Sequence, residues 1–299
     1  MQKIIPFLWF DGQAEAAAEL YTSSFDGGKV THVTPGPGGK AMWVSFDIAG
    51  HTFYALNGGP HFSPNPSMSF FVNFDSLRDL NAKEHLDPLW EKLSAGGKVL
   101  MPLQEYPFSK WYGWVEDTYG ISWQLILTNP TGEPRPTIVP SLLFTNDVCG
   151  KAEEATDFYT TLFKDSKRGA LARYPGGMEP DKEGTLMFTD FMLAGQWFAA
   201  MDSAHEHKFN FTEGLSLFVD CGDQQEVDYF WNALTANGGQ ESQCGWLKDK
   251  YGLSWQVIPK RLSELLGDPD TEKAGRVMQA MLKMKKIDIA GLQKAYDQA

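Results

Sequence analysis

Apolar runs and amphipathic stretches follow one another along this chain in an order that repeats. A short apolar strand, Pro6 to Phe10, is followed by apolar residues spaced for one helix face between Ala14 and Phe25. Two strand-like runs then flank an Ala-Gly turn at residues 49–50, and a Gly/Pro-rich break covers residues 58–67. A strand, a helix and two or three further strands make up one βαβββ module.

The same plan begins again after the break and recurs twice more. In the fourth module, Asp223 lies three residues before Glu226 and predicts a capped helix start, while Gly238-Gly239 predicts the end of that helix. The matching helix of the second module contains Pro88. Proline suits a first helical turn and not an interior, so the start of this helix stays open. Four such modules predict an α+β fold.

The second half of the chain copies the first. GWVEDTYGISWQLI (113–126) returns as GWLKDKYGLSWQVI (245–258), with nine of 14 positions identical at an offset of 132. Other segments return in the same order, which indicates a duplication, so we expect an intramolecular pseudo-dimer. The proline-rich stretch TNPTGEPRPT separates the copies. We therefore predict a first domain at 1–129, a linker at 130–134, a second domain at 135–265 and a helical tail at 266–299.

Composition narrows the classes of function. With 299 residues and 42% apolar content, the chain is long enough for about two globular domains. A net charge of −12 argues against nucleic acid as a partner. The three cysteines form no CxxC pair and are typical of reduced thiols, so we expect a cytoplasmic protein. No apolar run approaches the roughly 20 residues that a membrane span needs.

Three segments resemble a known family: GWLKDKYGLSWQVIP, AEEATDFYTTLF and HEHKFNF. They are similar to the PhnB-like group, often labelled 3-demethylubiquinone-9 3-methyltransferase, of the vicinal oxygen chelate (glyoxalase/bleomycin-resistance/dioxygenase) superfamily. The resemblance covers nearly the whole chain, twice, and includes the tail. It implies four βαβββ modules forming two glyoxalase-like domains, with a metal ion at the centre of each module pair.

The resemblance also implies where metal ligands would lie. The last-strand carboxylate of the superfamily corresponds to Gln124 and Gln256. Counting back from the helix tyrosine, Tyr21, puts the first-strand ligand at Pro6, and the corresponding residue in the second copy is Pro140. The remaining positions fall near Tyr54 and Ser69 in the first copy, and near Ala199 and Ser216 in the second. Proline offers no donor atom, and Ser, Tyr and neutral Gln are poor substitutes for imidazole or carboxylate. We therefore predict that the chain holds no metal and no other cofactor.

Five polar side chains are the predicted ligand-binding residues: Gln124, Ser69, Tyr54, Gln256 and Ser216. In this interpretation they form hydrogen bonds to a small organic molecule, and the protein is a metal-independent binding protein. The alternative is that each Gln pairs with a neighbouring strand or with water. The family label suggests methyl transfer, but the glycine-rich stretch GPGGK (36–40) opens no predicted helix, so we expect no S-adenosylmethionine site.

Two other functions stay open. A divalent metal at a rearranged site with His51, His61, His205 or His207 would make the protein a lyase, isomerase or oxygenase, although His205-Glu206-His207 is more typical of a polar loop. Cys244 has no assignable base and is interpreted as a small packed residue. Alternatively, the fused pair serves only as an interaction module. The sequence does not decide whether the fused chain pairs again.

Overall fold

The computed structural model describes residues 2–128 and 133–298. These residues form four modules and a tail, as the repeat predicts. Module 1 contains β1 (Ile4–Phe10), α1 (Ala14–Ser24), β2 (Lys29–Pro35), β3 (Ala41–Ile48) and β4 (His51–Asn57). Module 2 contains β5 (Met68–Asp75), α2 (Ala82–Ser94), β6 (Lys98–Tyr106), β7 (Ser109–Glu116) and β8 (Ser122–Thr128).

The second copy follows the same order. Module 3 contains β9 (Ile138–Phe144), α3 (Ala152–Leu162), β10 (Lys167–Arg173), β11 (Leu186–Leu193) and β12 (Gln196–Asp202). Module 4 contains β13 (Leu215–Cys221), α4 (Gln224–Thr235), β14 (Gln240–Glu241), β15 (Trp246–Lys248) and β16 (Ser254–Pro259). The tail consists of α5 (Lys260–Leu266), α6 (Thr271–Met281) and α7 (Ile289–Asp297).

The strands form two eight-stranded sheets. Sheet B has the order β10-β11-β12-β9-β5-β8-β7-β6, so it joins modules 2 and 3 through the antiparallel pair β5–β9. Sheet A has the order β14-β15-β16-β13-β1-β4-β3-β2 and contains the strands of modules 1 and 4. Each sheet therefore takes strands from both copies of the repeat.

The chain divides into two compact units. One contains the residues up to 6 together with those from 216 onward, and the other spans Phe7–Leu215. The domain boundaries expected from the repeat, 1–129 and 135–265, stay a prediction.

The helix faces of modules 1 and 2 share one aromatic core. Tyr21 of α1 is fully buried. The centroid of its ring lies 5.3 Å from the ring centroid of Trp123 on β8 and 5.9 Å from that of Phe46 on β3. Phe70 on β5 packs against Trp123 at 5.3 Å. The apolar face predicted for this helix is therefore confirmed, and it leaves the opposite face of sheet B to the site described below.

The helix boundaries confirm one prediction and settle one open question. Asp223 caps α4 by accepting a hydrogen bond from the Glu226 amide at 2.9 Å, as the capping pattern predicts. In α2, Pro88 lies in the helix interior and not in the first turn. Three leucines of α2 are buried beside it, and their packing holds the helix together despite the lost backbone hydrogen bond: Leu86, Leu89 and Leu93.

The tail packs on module 4. The amides of Cys244 and Gly245 donate to the carbonyls of Met284 and Lys285 at 2.8 and 2.7 Å. Ile287 is fully buried, as are Val277 in α6 and Leu292 in α7. Among the helices that the structure describes, none has both the length and the apolar character to cross a membrane.

Candidate functional site

The centre of sheet B carries a chain of buried polar side chains. The Tyr112 hydroxyl donates to Gln124 Oε1 at 2.6 Å, and Gln124 Nε2 donates to Ser69 Oγ at 2.7 Å. Gln124 is only 1% exposed. Burial raises the pKa of Tyr112 far above its ordinary value, so its hydroxyl stays a protonated donor at neutral pH. We call this surface the Gln124 face of sheet B, and the alternation of each strand decides which side chains lie on it.

A row of small side chains crosses this face at the same level. Ser122 on β8 lies beside Ser69 on β5, Ser69 lies opposite Ser141 on β9, and Ser141 lies beside Ala199 on β12. Ser141 is fully buried, and its hydroxyl makes no hydrogen bond with the described residues. A buried hydroxyl without a partner costs about 1–3 kcal/mol, so its presence calls for an explanation.

Large apolar side chains surround this row. Four of them form one buried cluster with Ala199 of the row: Phe71, Tyr112, Val139 and Trp197. Seven others pack against it while keeping part of their surface accessible: Met101, Tyr106, Trp114, Ile126, Phe188, Met192 and Met201. Aromatic rings and flexible thioethers are the side chains that line adaptable apolar binding sites.

A charged pair lies at one side of the cluster. The Arg135 side chain donates from Nε to Asp190 Oδ2 at 2.7 Å, and its guanidinium lies 3.5 Å from the ring centroid of Trp197. Asp190 also accepts from the amide of Ala170 at 2.5 Å. The carboxylate is therefore neutralised within the chain, and Arg135, the first residue of the predicted second domain, covers one wall of the Gln124 face.

The residues at the family's metal positions do not suit a metal ion. Pro140 lies opposite Phe70, on the other side of sheet B, so the residue of β9 that shares a face with Ser69 and Gln124 is Ser141. The position inferred for the first-strand ligand thus lies one residue too early in the chain, because successive side chains of a strand alternate between its faces. The set on the Gln124 face is two hydroxyls, a carboxamide and Ala199, and the carboxamide oxygen is already bonded to Tyr112. Residues 2–128 and 133–298 contain no group of three or more His, Cys, Asp or Glu side chains able to hold a metal.

The histidines considered for a rearranged site have other neighbours. His205 lies 3.4 Å from Asp181, and His207 is 2.8 Å from the hydroxyl of Ser203, in the loop between β12 and β13. Burial, and to a lesser degree His205, lowers the pKa of His207. His51 begins β4, where burial lowers its pKa, and His61 is exposed in the turn that follows β4.

The other predicted ligand-binding residues lie in sheet A. Tyr54 on β4 pairs in register with Phe7 and Ser45, and its ring lies 4.8 Å from that of Trp43. The sequence analysis grouped Tyr54 with Ser69 and Gln124 because all three belong to the first copy. The structure places Tyr54 in sheet A and the other two in sheet B, since each sheet takes one module from each copy. In module 4, Gln256 Nε2 donates to Ser216 Oγ at 3.0 Å, the counterpart of the Gln124–Ser69 bond.

Two residues of the Gln124 face were missing from the sequence-based prediction. Ser141 lies two residues after Val139, on the same face of β9, and this spacing could have indicated it once the sheet order was known. Tyr112 lies two residues before Trp114, so both side chains project from the same face of β7. Its hydrogen bond to Gln124 depends on the register between β7 and β8. Neither the β5–β9 pairing nor the β7–β8 register can be predicted from a single sequence.

A separate groove of about 760 Å³ lies near the end of β5. Its lining includes Arg78, which pairs with Asp75, and His85, whose Nδ1 lies 2.5 Å from Asp79 Oδ2. Acidic side chains outnumber Arg78 and Arg135 in this lining, and the Arg135–Asp190 pair beside Trp197 forms part of it.

A family model described as 3-demethylubiquinone-9 3-methyltransferase matches residues 2–126 and again 136–258. A solved structure described as a putative 3-demethylubiquinone-9 3-methyltransferase, PhnB protein, from Bacillus cereus is 36% identical, over 42% of this chain and 100% of that one, with a TM-score of 0.39. Glyoxalase I from Zea mays is 12% identical over 84% of this chain and 89% of that one, with a TM-score of 0.53, and is similar in fold alone. No curated protein matches.

The two family matches together cover most of the chain, one for each copy of the repeat. They coincide with the two copies of the strand–turn–strand motif and with the four βαβββ modules. The chain therefore belongs to the PhnB-like family that carries the 3-demethylubiquinone-9 3-methyltransferase label, as an intramolecular pseudo-dimer of two family repeats.

Proposed function

We propose that this protein binds a small, mainly apolar organic molecule on the Gln124 face of sheet B, without a metal ion. The observation that carries the proposal is the Ser141 hydroxyl, which is buried and unpartnered in a row of small side chains between aromatic and methionine walls. A ligand with one hydrogen-bonding group would satisfy this hydroxyl, and its apolar body would replace the contacts that the small residues lack.

The hydroxyl and carboxamide groups of this face fix a ligand's orientation and offer no nucleophile or general base. Gln124 cannot titrate, and the Tyr112 hydroxyl is committed to Gln124. The stretch GPGGK lies between β2 and β3 and opens no α-helix, so we do not propose methyl transfer. The three thiols are free, and the cytoplasmic location that they favour stays part of the proposal, as does the absence of a nucleic-acid partner.

Substitution of Ser141 by alanine separates binding from folding. With N-phenyl-1-naphthylamine, an apolar fluorescent probe with one N–H group, we expect saturable binding that Ser141→Ala weakens by roughly tenfold, the value of about one hydrogen bond. The free variant should be as stable as the wild type or more stable by about 1 kcal/mol, because an unpaired buried hydroxyl is removed. Exposed Ser242→Ala is the matched control and should change neither quantity.

Metal content tests the second half of the proposal. Protein purified without chelator or affinity tag should contain no stoichiometric Zn, Ni, Mn or Fe, and EDTA should leave probe affinity and melting temperature unchanged. A stoichiometric divalent metal would favour the enzyme with a rearranged site, and a wild type that binds no probe would contradict the binding function.

A further inference from the structure

The two copies differ most in the hairpin that precedes the repeated motif. Gly97 matches Gly239 at an offset of 142, whereas Gly113 matches Gly245 at an offset of 132. The second copy therefore lacks ten residues at this place. Correspondingly, β6 and β7 contain nine and eight residues, and β14 and β15 contain two and three.

In module 2 the long hairpin satisfies the polar groups of the last strand. The Tyr112 hydroxyl donates to Gln124 Oε1, and Trp114 Nε1 donates to Ser122 Oγ, each at 2.6 Å. Tyr106 and Phe108 from the hairpin tip pack on the Tyr112 ring, with centroids 5.5 and 5.0 Å away. The chain thus supplies its own phenol to the glutamine.

In module 4 the Tyr112 hydroxyl has no counterpart, and the Ser254 hydroxyl makes no hydrogen bond to the indole of Trp246, which matches Trp114. Cys244 stands at the position of Tyr112. The described residues give the Gln256 side chain one hydrogen bond, to Ser216, and its carbonyl oxygen has no counterpart of the Tyr112 hydroxyl. Ser254 matches Ser122, is 1% exposed, and its hydroxyl has no partner among the described residues.

The tail replaces only the backbone part of the lost hairpin. Its carbonyls at Met284 and Lys285 accept from the amides of Cys244 and Gly245, at the edge where β6 pairs with β7 in module 2. These contacts lie at the strand edge and supply main-chain acceptors. They bring no side-chain donor to Gln256 or Ser254.

Gln256 and Ser254 lie two residues apart on one strand, so their side chains project from the same face. Phe218 is opposite Gln256 on β13, and Trp246 is opposite it on β15 and partly exposed. A carbonyl acceptor, a free hydroxyl and two aromatic rings therefore lie together. We call this set the Gln256 face.

We propose that the Gln256 face binds the hydroxyl-bearing ring of a phenol, which takes the place that the Tyr112 side chain occupies in module 2. A phenolic hydroxyl donates its proton to Gln256 Oε1 and accepts from the Ser254 hydroxyl, so one group satisfies both. The inference rests on the proposed function, namely that this family fold binds small organic molecules here, and it names the class of molecule for the second face.

The probe that tests it is 4-methylphenol, which is the tyrosine side chain itself, and toluene is the matched probe without the hydroxyl. Titrated into the full-length protein and followed by amide chemical shifts, 4-methylphenol should bind with a dissociation constant on the order of 1 mM. Toluene should bind about tenfold more weakly, since it lacks the hydrogen bond.

Two variants locate the site. Gln256→Leu should weaken 4-methylphenol binding about tenfold or more, while exposed Gln243→Leu, the same substitution nearby, should leave it unchanged. Ser254→Ala also weakens binding, and it keeps the fold intact because the hydroxyl it removes has no partner. This second variant covers the case in which Gln256→Leu fails to fold.

Three results would overturn the proposal: equal affinity for toluene, unchanged affinity in Ser254→Ala, or no binding of 4-methylphenol at all, in which case water satisfies both groups. The variant Ser141→Ala distinguishes a failure of binding at the Gln256 face from a failure of the proposed function at the Gln124 face. If 4-methylphenol binding is lost in Ser141→Ala and kept in Ser254→Ala, the Gln124 face binds ligands and the Gln256 face does not.

Discussion

Asp117 and Asp249 hold together the turn that both copies of the repeated motif contain. Asp117 accepts from the amides of Tyr119 and Ile121 and from the indole of Trp123, at 2.8 to 3.0 Å. Asp249 makes the same three bonds with the residues 132 positions further on: Tyr251, Leu253 and Trp255. The glycine that lies three residues after each aspartate, Gly120 or Gly252, has a φ of +84° in both copies. The turn therefore explains most of the residues that are identical between the two copies of the motif. It does not explain the repeated pair Gln124 and Gln256, whose side chains lie on the Gln124 and Gln256 faces.

His51 gives the molecule a pH dependence that can be worked out in sign. Burial lowers its pKa in the folded state, so the unfolded chain binds a proton at a pH at which the folded chain does not. Stability is then present above the ordinary pKa of about 6.5 and is lost as pH falls through the folded value.

Replacing His51 by asparagine removes this linkage. Free energies of unfolding measured in urea between pH 7.5 and 5 should fall less steeply in His51→Asn than in the wild type. Parallel curves for the two proteins over this range would show that His51 does not contribute.

At the scale of elements, β2 and β10 show why part of the fold could not be predicted. Both are edge strands exposed along nearly their whole length, so neither has the apolar alternation that indicates a strand. By contrast, β3 and β4 flank an Ala-Gly turn with φ of +46° and +80°, and that pair of residues does indicate a tight hairpin. An alternating apolar pattern arises only where one face of a strand is buried, and these two edge strands have no buried face.

The tail is an element whose contribution can be measured. Ile287 is fully buried next to the short β15 hairpin, and Gly245 leaves the space for it. Ile287→Ala should lower the free energy of unfolding by about 2–5 kcal/mol, since it opens a cavity. Leu282→Ala, at a position that is 51% exposed, should change it by no more than about 0.5 kcal/mol. Equal effects of the two in chemical denaturation would show that the tail does not stabilise module 4.

For the whole molecule, the duplication and the module plan were predictable because the copied segments keep their order. The composition of the site was not. Gln124 and Ser69 were predicted together and do meet, but their neighbours Ser141 and Ala199 come from the other copy. That outcome depends on β5 pairing with β9 across the linker, a long-range contact that no local pattern encodes.

The β5–β9 pairing has a consequence for the covalent chain. Because these strands from different repeats exchange main-chain hydrogen bonds over Met68–Val72 and Ile138–Leu142, the two halves are held together independently of the peptide bonds between them. A protease recognition site introduced at residues 129–132 and then cleaved should yield two fragments that co-elute in gel filtration and separate only in denaturant. Fragments that elute apart in buffer would show that the covalent connection is what keeps sheet B whole.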